Sequence, residues 1–419
     1  MFYMLGDRME CMRRITLLTA VCAVIALTCG ELHAMHTQKR ERRVAGFARE
    51  VTGAGAVQLL RVDDDGHLFS SERLVEPIAF DVSGGGDAEP LIPLRHNGRY
   101  FLRTSHKPLQ FYWEHLPVSC TLLRNKLWRR ASGAYRVPEE RLDAWLQREE
   151  SLERSLQSVV TWIGHSSFLI QVGGINIVTD PVFGDLSAWY PRLLPPGIHI
   201  EQLPPIDLVL LSHNHRDHMD EASLRALLAR NPRMKALVPE GNKEWFDRAG
   251  SIHAVEHTWW ADTVAGGNDQ AESVTCTFVP ADHWSQRGLR DHNASLWGGW
   301  VIRHEDQIIY FAGDTAYDEQ IFDEVAQRFP SITAALMPIS PCSPVALRRN
   351  HMSARQSVAA FARLGACRFV PAHWGTFAMG TDEFEAPIRE LERSWQQRRA
   401  ELGDRQLCVV KAGQRLALE

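Results

Sequence analysis

Residues 207–220 read DLVLLSHNHRDHMD, an apolar run that breaks into three histidines and two aspartates within eight positions. Solubility alone does not ask for imidazoles at this density, because Lys, Glu and Ser serve a surface loop as well. The run itself, short and rich in Leu and Val, has the pattern of a buried strand. A chain built this way must hold His213, His215, Asp217 and His218 on one short loop at a strand end, where a scaffold keeps it rigid.

The arrangement recurs downstream. VTCTFVPAD runs into His283, IIYFAG into Asp314 and CRFVPA into His373. Four strand ends thus deliver seven imidazole or carboxylate groups, and their loops can converge at one edge of a sheet. Imidazole and carboxylate without thiolate suit zinc, and also manganese or iron. Seven groups are too many for one tetrahedral ion and match two ions sharing a bridging carboxylate. Two such ions also acidify a bound water to near neutral pH, so no Ser or Cys nucleophile is needed. WIGHSS is not the G-x-S-x-G of a nucleophile elbow, and His165 within it reads as a structural histidine. Asp180 in VTDP is either a turn residue or the partner of a metal-binding imidazole.

From residue 158 onward, Val- and Ile-rich strand-like runs alternate with helical runs at 220–230, 318–329, 353–364 and 382–399. That grammar predicts a sheet-bearing α/β (α+β) domain over residues 158–419. Upstream, residues 137–157 space Leu142, Trp145, Leu146 and Leu152 as a helix does, and residues 46–110 suggest a few strands. Residues 35–157 are accordingly expected to form an N-terminal extension packed on the core. Residues 1–34 contain Arg13 and Arg14 ahead of an apolar run from Ile15 to Leu27, which predicts a signal peptide or short anchor. The expected location is therefore exported, periplasmic or membrane-associated.

With 45% hydrophobic and 23% charged residues the chain has the composition of a globular protein with a sizeable core. A net charge of −5 argues against a nucleic-acid partner. Cys120, Cys276, Cys342, Cys367 and Cys408 are widely spaced with no C-x-x-C, and are read as buried small hydrophobes. The loop LSAWYPRLLPPGIHI, 186–200, is read as exposing Trp189, Tyr190, Leu193 and Leu194 around Arg192, a surface suited to a lipid interface.

HNHRDH resembles the H-x-H-x-D-H signature of the metallo-β-lactamase superfamily, whose fold is an αββα sandwich. Within it, VTWIGHSSFLI, TDPVF, LPPIDLVLLSHNHRDHMD, PADHW, LWGGWVI, FAGDTAY, NHMSARQSV and HWGTF, in that order, resemble N-acyl-phosphatidylethanolamine-hydrolysing phospholipases D over roughly residues 116–418. The resemblance implies two zinc ions, one on His213, His215 and His283, the other on Asp217, His218 and His373, with Asp314 bridging. It implies catalytic roles for Asp314, His351 and Asp217, and substrate contacts from Asn350, His351 and Trp374. Where the family pattern has Gln before that histidine, this chain has Asn350, which bears on fine specificity. His351 has a second reading, as part of a cap for the helix that follows.

The expected activity is a phosphodiesterase cleaving N-acyl-phosphatidylethanolamine or a related phospholipid at a membrane surface by a metal-bridging hydroxide; a homodimer is allowed. Two alternatives stay open: a hydrolase of the same fold acting on a lactone or another phosphodiester, and a non-enzymatic zinc-stabilised lipid-binding envelope protein.

Overall fold

The computed structural model describes residues 57–62, 68–75, 90–102, 120–125, 127–128, 137–148, 152–187, 190–249, 253–266, 273–288 and 290–418, the first two segments as backbone only. The expected leader, residues 35–56 after it and Trp189 lie outside the described residues.

Two sheets carry the chain. One has the strand order β10-β9-β8-β7-β6-β5-β18, built from β5 (Val159–Gly164), β6 (Ser167–Val172), β7 (Ile175–Thr179), β8 (Leu208–Leu210), β9 (Lys235–Pro239), β10 (His253–His257) and β18 (Arg415–Ala417). The other runs β17-β16-β15-β14-β13-β12-β11-β1-β2. Its strands are β1 (Val57–Val62), β2 (Leu68–Val75), β11 (Asp262–Gly266), β12 (Ser273–Val279), β13 (Gly299–His304), β14 (Gln307–Phe311), β15 (Ala334–Pro338), β16 (Arg368–Ala372) and β17 (Gln406–Leu407). Residues 57–75 thus add a hairpin to the sheet, with β1 parallel to β11 and antiparallel to β2.

Strand periodicity explains the layers. In the first sheet Val160, Trp162, Phe168, Ile170, Ile177, Leu208, Leu210 and Leu237 join the core shared with Phe278, Trp300 and Phe311 of the second sheet. The alternate residues Ile163, Leu169, Val178, Val209, Ala236 and Val238 pack instead with Leu224, Leu227 and Phe246. These last three belong to helices α2 (Glu221–Arg230) and α3 (Lys243–Ala249). Side chains alternate across a strand, so a strand apolar at every position is buried on both faces. On the second sheet, Phe369 meets Phe361 of α5 (Ala354–Leu364) and Trp395 of α6 (Ala386–Gln397). The result is the αββα sandwich, and each large side chain sealed in it contributes about 1.5–3 kcal/mol.

Strand direction positions the site. β5 and β7 are each antiparallel to β6, and β8 is parallel to β7, so β5, β7 and β8 run the same way. In the other sheet β12 and β14 flank the antiparallel β13, and β14, β15 and β16 are parallel. All six strands that lead into His165, Asp180, the hexad, His283, Asp314 and His373 therefore end at one edge of their sheet. Open α/β sheets bind ligands at the carboxyl ends of their strands.

Two expectations need correction. Among the described residues, the helical pattern of 137–157 yields only α1 (Glu139–Asp143). Beyond it the backbone pairs with a distant segment: Ala412 N donates to Trp145 O at 2.9 Å and Gln147 N to Ala412 O at 2.8 Å. Those groups are then lost to a helix, and long-range pairing overrides local propensity. Among the cysteines Cys276 and Cys342 are buried, but Cys120 and Cys367 are exposed; neighbours in sequence do not report which side of an element faces water.

Candidate metal centre

Local structure holds the hexad in place. After β8 the chain turns, with His218 N and Met219 N both donating to His215 O, and Asp220 then caps α2 by accepting from Ser223 N at 2.9 Å. The two sheets are stitched together beside it. Trp300 Nε1 donates to Leu211 O at 2.9 Å and Gly298 N to Ser212 O at 2.9 Å. Gly313, at φ +59°, leaves the space into which a Cβ would press at 2.5 Å from Ser212 Cβ. The LWGGW and AGD motifs thus serve this close approach, which brings Asp314 to the hexad.

Six of the seven expected ligand side chains are buried, and His215 is half-buried. They form two groups. His215 Nδ1 lies 2.8 Å from His213 Nε2 and 3.2 Å from His283 Nε2. Asp217 Oδ2 lies 3.6 Å from His218 Nε2 and 3.7 Å from His373 Nε2. Asp314 Oδ2 stands between them, 3.1 Å from both His218 and His373 and 3.8 Å from His283. His351 Nδ1 is 3.5 Å from the same oxygen and its side chain is 16% exposed, at the open side.

The outer nitrogen of each anchored imidazole is spoken for. His218 Nδ1–H donates to Asp180 Oδ2 at 2.7 Å, His283 Nδ1–H to Asn350 O at 2.8 Å and His373 Nδ1–H to Ser340 O at 2.9 Å. Ser212 Oγ–H donates to Asp180 Oδ2 at 2.6 Å, so Ser212 Oγ in turn accepts from His213 Nδ1–H at 2.9 Å. This assignment of protons, made from the network, turns a lone pair of every one of these rings inward. The inner atoms are correspondingly short of partners: His218 Nε2, His373 Nε2 and Asp314 Oδ1 are buried and form no well-directed hydrogen bond among the described residues. Buried polar atoms are rarely left so, and a cation satisfies all of them at once. The donor set fits two divalent ions.

Electrostatics favours the same reading. Burial holds His213 well below the usual imidazole range, His215 down to about 4 and His283 down to about 3, so these present neutral ligands. Burial works against charge on His373 too, but Asp314 and Asp217 outweigh it and push the group up to about 9; His218 is raised for the same reason. Burial would raise Asp217 and Asp314, yet the neighbouring histidines, His218 foremost, hold both well below the carboxylate range.

A pH dependence follows. A metal ion must displace the protons of His218 and His373, so zinc affinity is expected to rise with pH up to about 9, roughly tenfold per unit for each proton released. Calorimetry at pH 7 in buffers of different ionisation enthalpy should register that release; an enthalpy independent of buffer would contradict it. In the metal-free protein, the raised His373 contributes stability that is complete below its unfolded value of 6.5 and is lost as pH climbs towards 9. The depressed Asp217 and Asp314 contribute above 3.8 and lose it as pH falls through their folded values.

The remaining expected residues divide. Asp180, left open between two roles, is fully buried and takes three hydrogen bonds, from Ser212 N, Ser212 Oγ and His218 Nδ1. His351 does not cap the following helix, whose N-cap is Ser353. Asn350 reaches the centre through its carbonyl on His283. Trp374 is sealed in the core, stacked on Trp162 at 5.2 Å with its edge against Trp145 at 4.8 Å. Among the described residues of 186–200, Tyr190, Arg192 and Leu193 are half-buried rather than projecting. Leu194 is fully buried, and Arg192 lies over Phe377 with its Nε and Nη1 donating to Leu194 O and Val182 O. Local composition reads hydrophobic residues beside Pro as exposed; their burial depends on the 374–377 segment, far away in sequence. Ser212, Ser340 and Thr376 carry no motif signal of their own.

The Lactamase_B_2 model, a beta-lactamase superfamily domain, matches residues 175–374. The chain is 31% identical over 265 residues to N-acyl-phosphatidylethanolamine-hydrolyzing phospholipase D 1 of Caenorhabditis elegans, covering 61% of this chain and 74% of that one. It is 30% identical over 239 residues to the mitochondrial N-acyl-phosphatidylethanolamine-hydrolyzing phospholipase D of Saccharomyces cerevisiae, covering 55% of this chain and half of the yeast protein. Among solved structures, Igni18, a metallo hydrolase from Ignicoccus hospitalis, aligns with 63% of this chain and 99% of its own at 22% identity and TM-score 0.47. The chain belongs to the N-acyl-phosphatidylethanolamine-hydrolysing phospholipase D family of the metallo-β-lactamase superfamily, and is a metal-dependent hydrolase.

Proposed function

We propose that this chain is a phosphodiesterase of phospholipase D type that hydrolyses N-acyl-phosphatidylethanolamine, or a related phospholipid, to phosphatidic acid and the N-acyl ethanolamine. The observation that carries the reading is Asp314 Oδ2 standing between two three-residue groups, a donor set for two ions that share one carboxylate. Two bound zinc ions would supply Lewis acidity toward phosphoryl oxygens and a water acidic enough to attack at neutral pH. His213, His215 and His283 would hold one, Asp217, His218 and His373 the other.

The chain's own residues do the rest. Asn350 O, Ser340 O and Asp180 fix the imidazole planes and turn their inner nitrogens toward the centre. His351, partly exposed and held neutral by burial down to about 3, has an Nδ1 that makes no well-directed hydrogen bond among the described residues and lies 3.5 Å from Asp314 Oδ2. It is placed to orient a phosphoryl oxygen or pass a proton to the leaving alcohol. A cavity of about 390 Å³ lies beside Ser340, lined by Trp128, Leu193, Phe377, Met379, Phe384 and Pro387. The wall also carries Arg141, Asp382 and Glu383, and its apolar part, next to the residue that holds His373, suits an acyl chain. Export on the Arg13–Arg14 leader would put the enzyme at an envelope membrane, where phospholipid is at hand.

The test is a substrate panel on the zinc-loaded protein: N-acyl-phosphatidylethanolamine vesicles, bis(p-nitrophenyl) phosphate and an acyl lactone. Lipid turnover well above that of the small diester supports the reading. Lactone turnover alone, or none on any substrate, ends it. His351→Ala is expected to lower kcat on the lipid about 10²-fold with zinc content unchanged; metal analysis beside the kinetics separates this from ligand loss.

A further inference from the structure

His165 sits at the turn between β5 and β6 with φ +55°, in the left-handed region that non-glycine residues seldom adopt. The turn is held there from three sides. His165 N donates to Thr376 Oγ1 at 2.6 Å, and its carbonyl accepts from Trp162 Nε1 at 3.0 Å and from His373 N at 3.0 Å. Such strain persists only where the surroundings over-determine it. Its consequence is a ring packed 4.0 Å from that of His373, with Nε2 at 3.2 Å from Asp217 Oδ2. Phe377 closes the far side, ring to ring at 5.1 Å.

The geometry points to His165 as a positioning residue for one half of the metal centre: its Nε2–H holds the Asp217 carboxylate, and its carbonyl holds the backbone of His373. Two of the three groups expected on the second ion are thus set by one residue. The alternative, His165 as a further ligand of that ion, is opposed by the other nitrogen. Nδ1 is buried and has no hydrogen-bond partner among the described residues. If Nε2 bound an ion, the proton would sit on Nδ1 as a buried donor without an acceptor, which is costlier than a bare lone pair. With the proton on Nε2, Nδ1 carries only the lone pair. The inference concerns metal binding and stands whatever the substrate.

Zinc binding to full-length protein provides the test, read by chelator competition and by the visible spectrum of the cobalt-substituted form. In His165→Phe, which keeps a ring and loses the donor, one of the two zinc ions is expected to bind about 10–100-fold less tightly, while the other is unchanged. His165→Gln, whose amide can reach Asp217, should restore it to within about threefold. Unchanged affinity for both ions in His165→Phe overturns the proposal. Equal weakening in both variants also overturns it, since the imidazole would then act as a ligand or as a spacer. Should the phenylalanine variant fail to fold, His165→Asn carries the same test, because Asn tolerates positive φ and its amide falls short of Asp217.

Discussion

Asp314→Asn is expected to lower hydrolysis about 10²–10³-fold while leaving the fold intact. The change is isosteric, so packing around the strand end is kept, but the charge between the two histidine groups disappears. Asp314 Oδ2 lies 3.1 Å from His218 and His373 and 3.8 Å from His283, and its loss leaves His218 and His373 with one fewer of the carboxylates that balance them. Removing one preorganised electrostatic group from a closed site costs roughly 10²–10³-fold, or about 2.7–4 kcal/mol. Metal analysis should show fewer than two ions per chain. Full zinc content with wild-type turnover would remove Asp314 from the bridge and undermine the two-ion centre with it.

Asp180→Ala carries the largest expected effect on stability. Its carboxylate is fully buried and satisfies Ser212 N, Ser212 Oγ and His218 Nδ1 together. Burial raises its pKa, and only these donors, with His218 first, oppose the rise. Truncation leaves three buried donors unpaired beside a histidine that favours its charged form. Breaking a buried pair from one side costs about 3–5 kcal/mol. Denaturant unfolding of metal-free protein should show a loss of that size, and zinc affinity should drop about 10–100-fold as His213 and His218 lose their orientation. A stability loss below about 1 kcal/mol would mean the network is not closed as described.

How far these residues could be read beforehand varied with the range of the interaction. The metal-ligand candidates were legible because chemistry and placement are both local: a short continuous apolar run ends, and an imidazole or carboxylate follows. The strands 158–179 and the helices near 221, 319, 354 and 386 were legible on the same ground. Helix α3 was not, being only seven residues long with little room for a period. The 137–157 pattern misled because Ala412 takes the backbone groups that a longer helix would use. Trp374 looked like a substrate contact by its position after His373, and the structure seals it between Trp145 and Trp162.

What the sequence determined by itself is therefore the chemistry: which side chains can meet a metal, that thiolate is not among them, and that each follows a strand. Tertiary structure alone decided the partners. Asp180 meets His218 across 38 residues, Ser340 meets His373 across 33, and Thr376 meets His165 across 211. These pairings arise from the common direction of β5, β7, β8, β12, β14 and β16 and from the approach of Gly298 and Gly313 to Ser212. Strand register and sheet order are set by the whole core at once, and no short stretch of chain contains them.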